Sequence, residues 1–312
     1  MAPLIVHASG NKPPAFAKNV FPLTIEVGPE DPVSHLKSKI VNRCPKFHTS
    51  RQKLSLKGQK AALDDETKLK DLGLGAGGEI DIKDLGPQLS WKLVFVVEYL
   101  GPLLIHPVFY HFPQLLYGKA IEHSAVQKTA YAMIMLHFAK REFETLFIHR
   151  FSHGTMPVSN IFKNSAHYHI LSGLFLAFDL YRSKYSATSP YIQQSIMNNP
   201  TFLKICVGLW TFFQLSNLHT HLTFRRLRPA GSKRRAVPRG YGFNLVSSPN
   251  YLFEILGWTV VTVMTQSYAA ALFLLVGGGQ MAIWAAKKHR NYKKEFGKEY
   301  PRSRKAMVPF IF

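Results

Sequence analysis

The sequence predicts a small mixed α/β domain followed by an α-helical, polytopic membrane domain of about six or seven transmembrane helices. Three observations carry that reading. Residues 1–86 hold 13 basic and 10 acidic residues, whereas residues 87–312 hold 26 and 8, a net +18. In that second part the cations gather in short segments between apolar, aromatic-rich stretches, the positive-inside pattern of integral membrane proteins rather than a nucleic-acid-binding surface. Finally, Ile255 to Ala286 runs for 32 residues without a charge.

The first domain, residues 1–86, reads element by element. "FPLTIEV" alternates faces as a strand does. "PVSHLKSKIVNRC" sets Val33, Leu36, Ile40 and Val41 on one helical stripe. "RQKLSLKGQK" is a strand entering a turn at Gly58, and "GEIDIKDL" is another strand. This order, continuing through "AALDDETKLKDLGLGAGGEIDI", resembles the ubiquitin fold. The resemblance implies a cytosolic module for contacts or stability, with no chemistry of its own. "GLGAGG", Gly73 to Gly78, matches the spacing of a dinucleotide loop. Such a loop must follow a strand and open a helix, whereas this one follows a turn and precedes a strand, so it reads as a plain loop.

The membrane domain, residues 87–312, begins with "WKLVFVVEYLGPLLIHPVFYHF", long enough for the ~20 residues a bilayer core requires. "AVQKTAYAMIMLHFA", "AHYHILSGLFLAFDLY" and "FLKICVGLWTFFQLSNL" are further candidates. The uncharged run from Ile255 would overshoot a ~30 Å core as one helix, so it divides near Gln266-Ser267. No basic region precedes a long apolar core in "MAPLIVHASGNKPPAF"; insertion is therefore expected to use an internal span. Cys44 and Cys206 fall in different domains and suggest neither a disulfide framework nor a thiolate metal site. "FRRLRPAGSKRRAVPRG" holds seven cations and no acid, and "KKHRNYKKEFGKEYPRSRK" nine against two. Both segments are expected on the cytosolic side with the first domain.

Four constellations could carry chemistry. "HFAKREFETLFIHRFSHGTMPVSNIFKN" packs Lys140, Arg141, Glu142, Glu144, His149 and Arg150 among apolar groups, and ionisable groups at membrane depth usually face a cavity or each other. His149 and His153 have a metal-ligand spacing, but without a His-x-x-His-His box no metal is expected. In "QLSNLHTHLTFRRLR", Asn217, His221, Arg225 and Arg228 recur at helical spacing. Guanidinium groups suit phosphate, and spacing alone leaves a dinucleotide and a lipid headgroup equally open. In "SSPNYLFE", Ser248 suits an N-cap and Pro249 a first helical position, which leaves Asn250, Tyr251 and Glu254 to explain. Glu98, within the first span, needs a buried partner or a ligand, and Asp179 has Arg182 nearby as an ion-pair partner.

Taken together, "KREFETLFIHRFSHGTMPVSNIFKN", "SNLHTHLTFRRLRP", "GYGFNLVSSPNYLFEILGW" and "KKHRNYKKEFGKEYPRSRKAMVPFIF" resemble the steroid 5α-reductase superfamily. The ubiquitin-like front end and "PNYLFE" narrow the resemblance to very-long-chain trans-2-enoyl-CoA reductases. It implies an NADPH-dependent oxidoreductase acting on the 2,3 double bond of a very-long-chain enoyl-CoA. That reaction is the last step of fatty-acid elongation in the endoplasmic reticulum membrane, which also feeds sphingolipid synthesis, beside other elongation enzymes. By the same resemblance, Asn217, Arg225, Arg228, Asn250, Glu254, Tyr292 and Arg304 bind the cofactor. Tyr251 matches the proton donor, and Glu98 the carboxylate near the activated carbonyl. Lys140, Arg141, His149 and Arg150 match contacts to CoA or cofactor phosphates. His221 departs from the acidic residue of the steroid-reducing branch, and its role stays open. The alternatives are a membrane reductase of a steroid or polyprenal double bond, and a non-catalytic scaffold for elongation enzymes.

Overall fold

The computed structural model describes residues 1–151, 154–229 and 236–312. The chain divides into two compact units: residues 1–91 with the short segment 154–159, and the remainder.

In the first unit, a four-stranded sheet has the order β2-β1-β4-β3, built from β1 (Ala2–Ala8), β2 (Leu23–Val27), β3 (Gln52–Leu56) and β4 (Gly78–Asp84). The central strand β1 pairs antiparallel with β2, Leu4 opposite Ile25, and parallel with β4, Val6 opposite Ile80. Strand β3 closes the other edge, with Leu54 opposite Ile82. Alternation explains the core: Leu4, Val6, Ile80 and Ile82 share the buried face. Against it lies α1 (Val33–Arg43), presenting the expected Val33, Leu36 and Ile40, each fully buried, whereas Val41 is only half-buried. Arg51 grips Asp84 with two hydrogen bonds of 3.0 and 2.6 Å. Gly73 ends a short helical turn with φ 74°, and Gly78 opens β4, so "GLGAGG" is a loop. Three strands of this unit escape the sequence reading. Strand β1 lies in the stretch read only for targeting signals. A short strand β5 (Gln88–Ser90) pairs with β6 (Thr155–Pro157), which draws residues 154–159 into this unit and carries it past residue 86.

The second unit is helical. Its main elements are α2 (Trp91–His111), α3 (Ala125–Phe143), a composite α4 over residues 159–181, α5 (Pro200–Leu227), α6 (Pro249–Thr265) and α7 (Tyr268–Phe296). Ser124 and Gln127 form a full capping box at the start of α3, and Asn199 caps α5. Helix α4 is α-helical at Ser159–Ser165 and Leu176–Tyr181, with a π-helical stretch at Ala166–Phe175 between. Among the described residues, Trp91–His111 and Tyr268–Glu299 are long and apolar enough to cross a membrane by length and composition. The uncharged run breaks where expected: Gln266, at φ 49°, ends α6, and the Ser267 hydroxyl accepts the Ala270 amide to start α7. Asp179 forms the expected ion pair with Arg182 at 2.6 Å and also accepts the Ser267 hydroxyl. One carboxylate thereby pins the turn between the last two helices.

Gly101 on α2 lets the imidazole of His169 pass against the backbone. A Cβ there would stand 2.0 Å from His169 Cδ2, and His169 Nε2 already donates to the Val97 carbonyl at 2.8 Å. Gly101→Ala must displace the ring and break that bond. We expect a loss of about 1–3 kcal/mol, read as a lower unfolding midpoint of the detergent-solubilised protein; an unchanged midpoint would refute the close packing.

Candidate active site

The site grows from the end of α3. Beyond Phe143 the helix loosens into a π turn, Glu144–Ile148, in which the His149 amide reaches back to the Glu144 carbonyl at 2.7 Å. Such widened turns recur at functional sites because they re-aim side chains. Here Lys140, Arg141 and Glu144 already lie one turn apart on a shared face. The fully buried Glu144 carboxylate takes Lys140 Nζ at 2.9 Å and Arg141 Nη1 at 2.6 Å. His221 Nδ1, from α5, stands 3.1 Å from it. Arg141 Nη2 donates to the Tyr99 hydroxyl at 2.9 Å, with the guanidinium 5.1 Å from that ring's centre.

A second set of bonds extends this cluster across α5 and α6. Lys140 donates to Asn217 Oδ1 at 2.6 Å. The Asn217 amide nitrogen donates to the Asn250 carbonyl at 2.8 Å and reaches Glu254 Oε2 at 3.4 Å. His137 stands 3.9 Å from the Glu254 carboxylate and 3.2 Å from Gln214 Oε1. Asn250 is itself buried, and its side-chain oxygen has no hydrogen-bond partner. Glu98, 1% exposed, bonds Asn164 and leaves Oε1 without a partner. Buried polar atoms without partners are expensive, so each of these two is a candidate contact for a ligand.

Farther along α5, a cavity of about 330 Å³ opens between the end of that helix and α7, lined by Phe224, Arg228, Pro238, Trp284, Lys288 and Tyr292 among others. Lys288 Nζ lies 3.9 Å from the Phe224 ring centre and 5.7 Å from that of Tyr292. Arg304 is buried, donates to the Pro238 carbonyl at 3.0 Å and stacks 5.0 Å from the Tyr300 ring. Tyr251 is half-buried, with its ring 6.2 Å from Trp284. Helix α6 therefore carries Asn250 and Glu254 into the buried network and Tyr251 toward the cavity wall. The approach to α6 is held by the last segment of the chain: Ser247 and Ser248 amides donate to the carbonyls of Lys305 and Ala306.

Lys140, Arg141, Asn217, Asn250 and Glu254 thus fall into one network, which His149 joins through His221 at 3.4 Å, and Arg228 and Tyr292 line the cavity. Arg225 and Arg150 are exposed and join neither, and Arg304, expected at the cofactor, lines a separate cavity instead. The expected single face from Asn217 to Arg228 breaks off because α5 ends at Leu227, which leaves Arg228 at the cap with non-helical backbone. Ser248 holds the N-cap position, but its hydroxyl makes no cap bond and has no partner. His153 lies outside the described residues. Sequence reasoning passed over His137, Gln214 and Tyr99, and did not see that Glu144 is the hub. The signal for Glu144 was its spacing from Lys140 and Arg141. Glu144, His149 and His221 offer ligand atoms within 4.8 Å of one another. However, Lys140 and Arg141 already neutralise that carboxylate, and Arg141 Nη1 is 3.4 Å from His221 Nδ1. An added metal cation would face two fixed positive charges, so the set behaves as an ion cluster.

A helical unit with a buried ion network and a cationic, aromatic cavity defines a class through comparison: the family described as 3-oxo-5-alpha-steroid 4-dehydrogenase matches residues 154–312. Relatives narrow it. The chain is 51% identical over 245 residues to a putative enoyl reductase of Schizosaccharomyces pombe, covering 78% of this chain and 80% of that one. It is 42% identical over 250 residues to the very-long-chain enoyl-CoA reductase of Dictyostelium discoideum, covering 80% of each. It is 39% identical over 305 residues to a probable very-long-chain enoyl-CoA reductase of Caenorhabditis elegans, covering 93% and 94%. The chain belongs to the very-long-chain enoyl-CoA reductases of the steroid 5α-reductase superfamily.

Proposed function

We propose that this protein reduces the 2,3 double bond of very-long-chain trans-2-enoyl-CoA with NADPH, the last step of each fatty-acid elongation cycle. One observation carries the reading: α5 runs from Asn217, bonded in the buried network with Lys140, Asn250 and Glu254, to Phe224 and Leu227 in the wall of a cationic cavity large enough for part of a dinucleotide. The donor set fits NADPH. Arg228 and Lys288 suit its phosphates, Tyr292 its aromatic parts, and the unpartnered Asn250 oxygen its carboxamide. When bound, NADPH supplies the hydride that C3 of the enoyl thioester accepts.

The chain's own groups do the rest. Negative charge develops on the thioester oxygen as C3 is reduced. A fixed donor there lowers the barrier, and Glu98, when protonated, is the candidate. C2 then takes a proton, which the Tyr251 hydroxyl supplies. A phenol's ordinary pKa of ~10 keeps that proton in place at neutral pH. The Glu144 cluster positions Lys140 and Asn217. Arg141 and His149, within the network, would be further phosphate contacts on this reading, whereas Arg150 and Arg225, exposed and outside both network and cavity, are left without that role.

The setting is proposed with the chemistry. Helices α2 to α7 would make six spans of an endoplasmic reticulum membrane protein, supported by the two apolar helices and by the family. Residues 1–86 would be a cytosolic ubiquitin-like domain, supported by the sheet order and by α1 between β2 and β3. Residues 87–312 would be the catalytic membrane domain. The product would also serve sphingolipid synthesis, and other elongation enzymes would be neighbours.

The test is purified full-length protein in nanodiscs with NADPH and a C20 trans-2-enoyl-CoA, with products read by mass spectrometry. Saturated acyl-CoA supports the reading; no turnover leaves a scaffold. The family's steroid description favours one second reading, a steroid reductase. Faster NADPH consumption with a 3-oxo-steroid than with the enoyl-CoA would establish it. Arg228→Ala should raise the KM for NADPH roughly tenfold or more, because a charged hydrogen bond is worth ~1.5–3 kcal/mol, with kcat little changed. An unaltered KM would remove Arg228 from the cofactor site.

A further inference from the structure

The far end of α7 carries a second cavity, of about 490 Å³, that the reaction does not use. Ala286, His289, Arg290 and Lys293 line it, on the helix face opposite Trp284, Lys288 and Tyr292. Arg302, Arg304 and Lys305 complete its cationic wall beside Phe312, and among the described residues no acidic side chain lines it. Arg304 is 2% exposed, and its Nε has no hydrogen-bond partner. A buried guanidinium N–H left open in a cationic cavity asks for an anion.

The position of this cavity along α7 says which anion. From Tyr268 to Ala286 the helix has no charged residue, a length of ~28 Å against a hydrocarbon core of ~30 Å. Cations begin at Lys287, so the cavity opens where hydrocarbon gives way to headgroups. Beside it the chain folds back, the Phe312 carbonyl accepting the Met307 and Val308 amides, and leaves Phe310 83% and Ile311 79% exposed. An apolar tip next to clustered cations suits a surface with acyl chains below and negative phosphates above. A soluble polyphosphate would have no use for the tip.

We propose that this cavity binds the phosphate headgroup of an anionic membrane phospholipid, through Arg290, Lys293, Arg302, Lys305 and the buried Arg304, while Phe310 and Ile311 enter the acyl boundary. The proposal rests on the reading of α7 as a membrane span. Full-length protein is placed in nanodiscs of phosphatidylcholine containing a minor fraction of phosphatidylserine, and retained lipid is read by native mass spectrometry. Wild type should retain phosphatidylserine preferentially. The K293Q/R302Q/K305Q variant should lose at least about tenfold of that preference, and F310S/I311S should weaken it. Turnover of the triple variant in pure phosphatidylcholine should stay at the wild-type level. An unchanged lipid preference in the triple variant overturns the proposal. So does a raised KM for acyl-CoA in pure phosphatidylcholine, which would assign the cavity to the substrate's phosphates. Protein that leaves membranes in alkaline carbonate would sink the span reading itself; protein that stays but shows no lipid preference sinks only the site.

Discussion

Replacing Tyr251 with Phe is expected to lower turnover by about 10²–10⁴-fold, the usual worth of a placed general acid, while NADPH affinity stays nearly constant. The substitution removes one oxygen and keeps the ring, so its contact with Trp284 survives. Asn250 and Glu254, one residue before and three after on the same helix, keep their bonds to Asn217. Single-turnover kinetics with saturating NADPH, alongside cofactor titration by fluorescence, separate the two effects. Undiminished turnover would mean that the proton reaches C2 from elsewhere. A parallel loss of cofactor binding would make Tyr251 a packing residue.

Glu144→Gln should have the largest effect on the fold. The carboxylate is fully buried and holds Lys140 and Arg141 at 2.9 and 2.6 Å. Taking away one member of a buried ion group leaves the other charges uncompensated, at ~3–5 kcal/mol. Against a total stability of ~5–15 kcal/mol, that is a large share. Thermal unfolding in nanodiscs should drop by on the order of 10 °C. The double variant with Arg141→Met should recover part of the loss, because it removes a stranded charge along with its partner. If the single variant unfolds at the wild-type temperature, the cluster is solvated and its polar atoms are not held by one another.

The sequence made some of this legible for physical reasons that can be named. The stripe of Val33, Leu36 and Ile40 and the break at Gln266 were readable because periodicity and span length act locally. Strand β1 was not, since its place at the centre of the sheet depends on β4, more than seventy residues away. The site divides the same way. Lys140, Asn217 and Glu254 were picked out as polar groups in apolar surroundings, but nothing local says that three helices bring them within bonding distance. His137 and Gln214 looked like ordinary members of apolar helices until Glu254 was placed beside them. Arg225 shows the converse: regular spacing put it on a promising face, yet in the last turn of α5 it is exposed to the outside.

The two-residue turn at Gln266 and Ser267 works as a gauge. It sends α7 back alongside α6, so each residue of one helix has its counterpart on the other set by counting from the bend. Tyr251 lies fifteen residues before Gln266 and Trp284 seventeen after Ser267, and their rings meet. Adding four residues at the bend would slide this alignment by roughly one helical pitch, ~5.4 Å. On the proposed mechanism the Tyr251 hydroxyl would then be offered to the wrong carbon, with every side chain of the pocket still present.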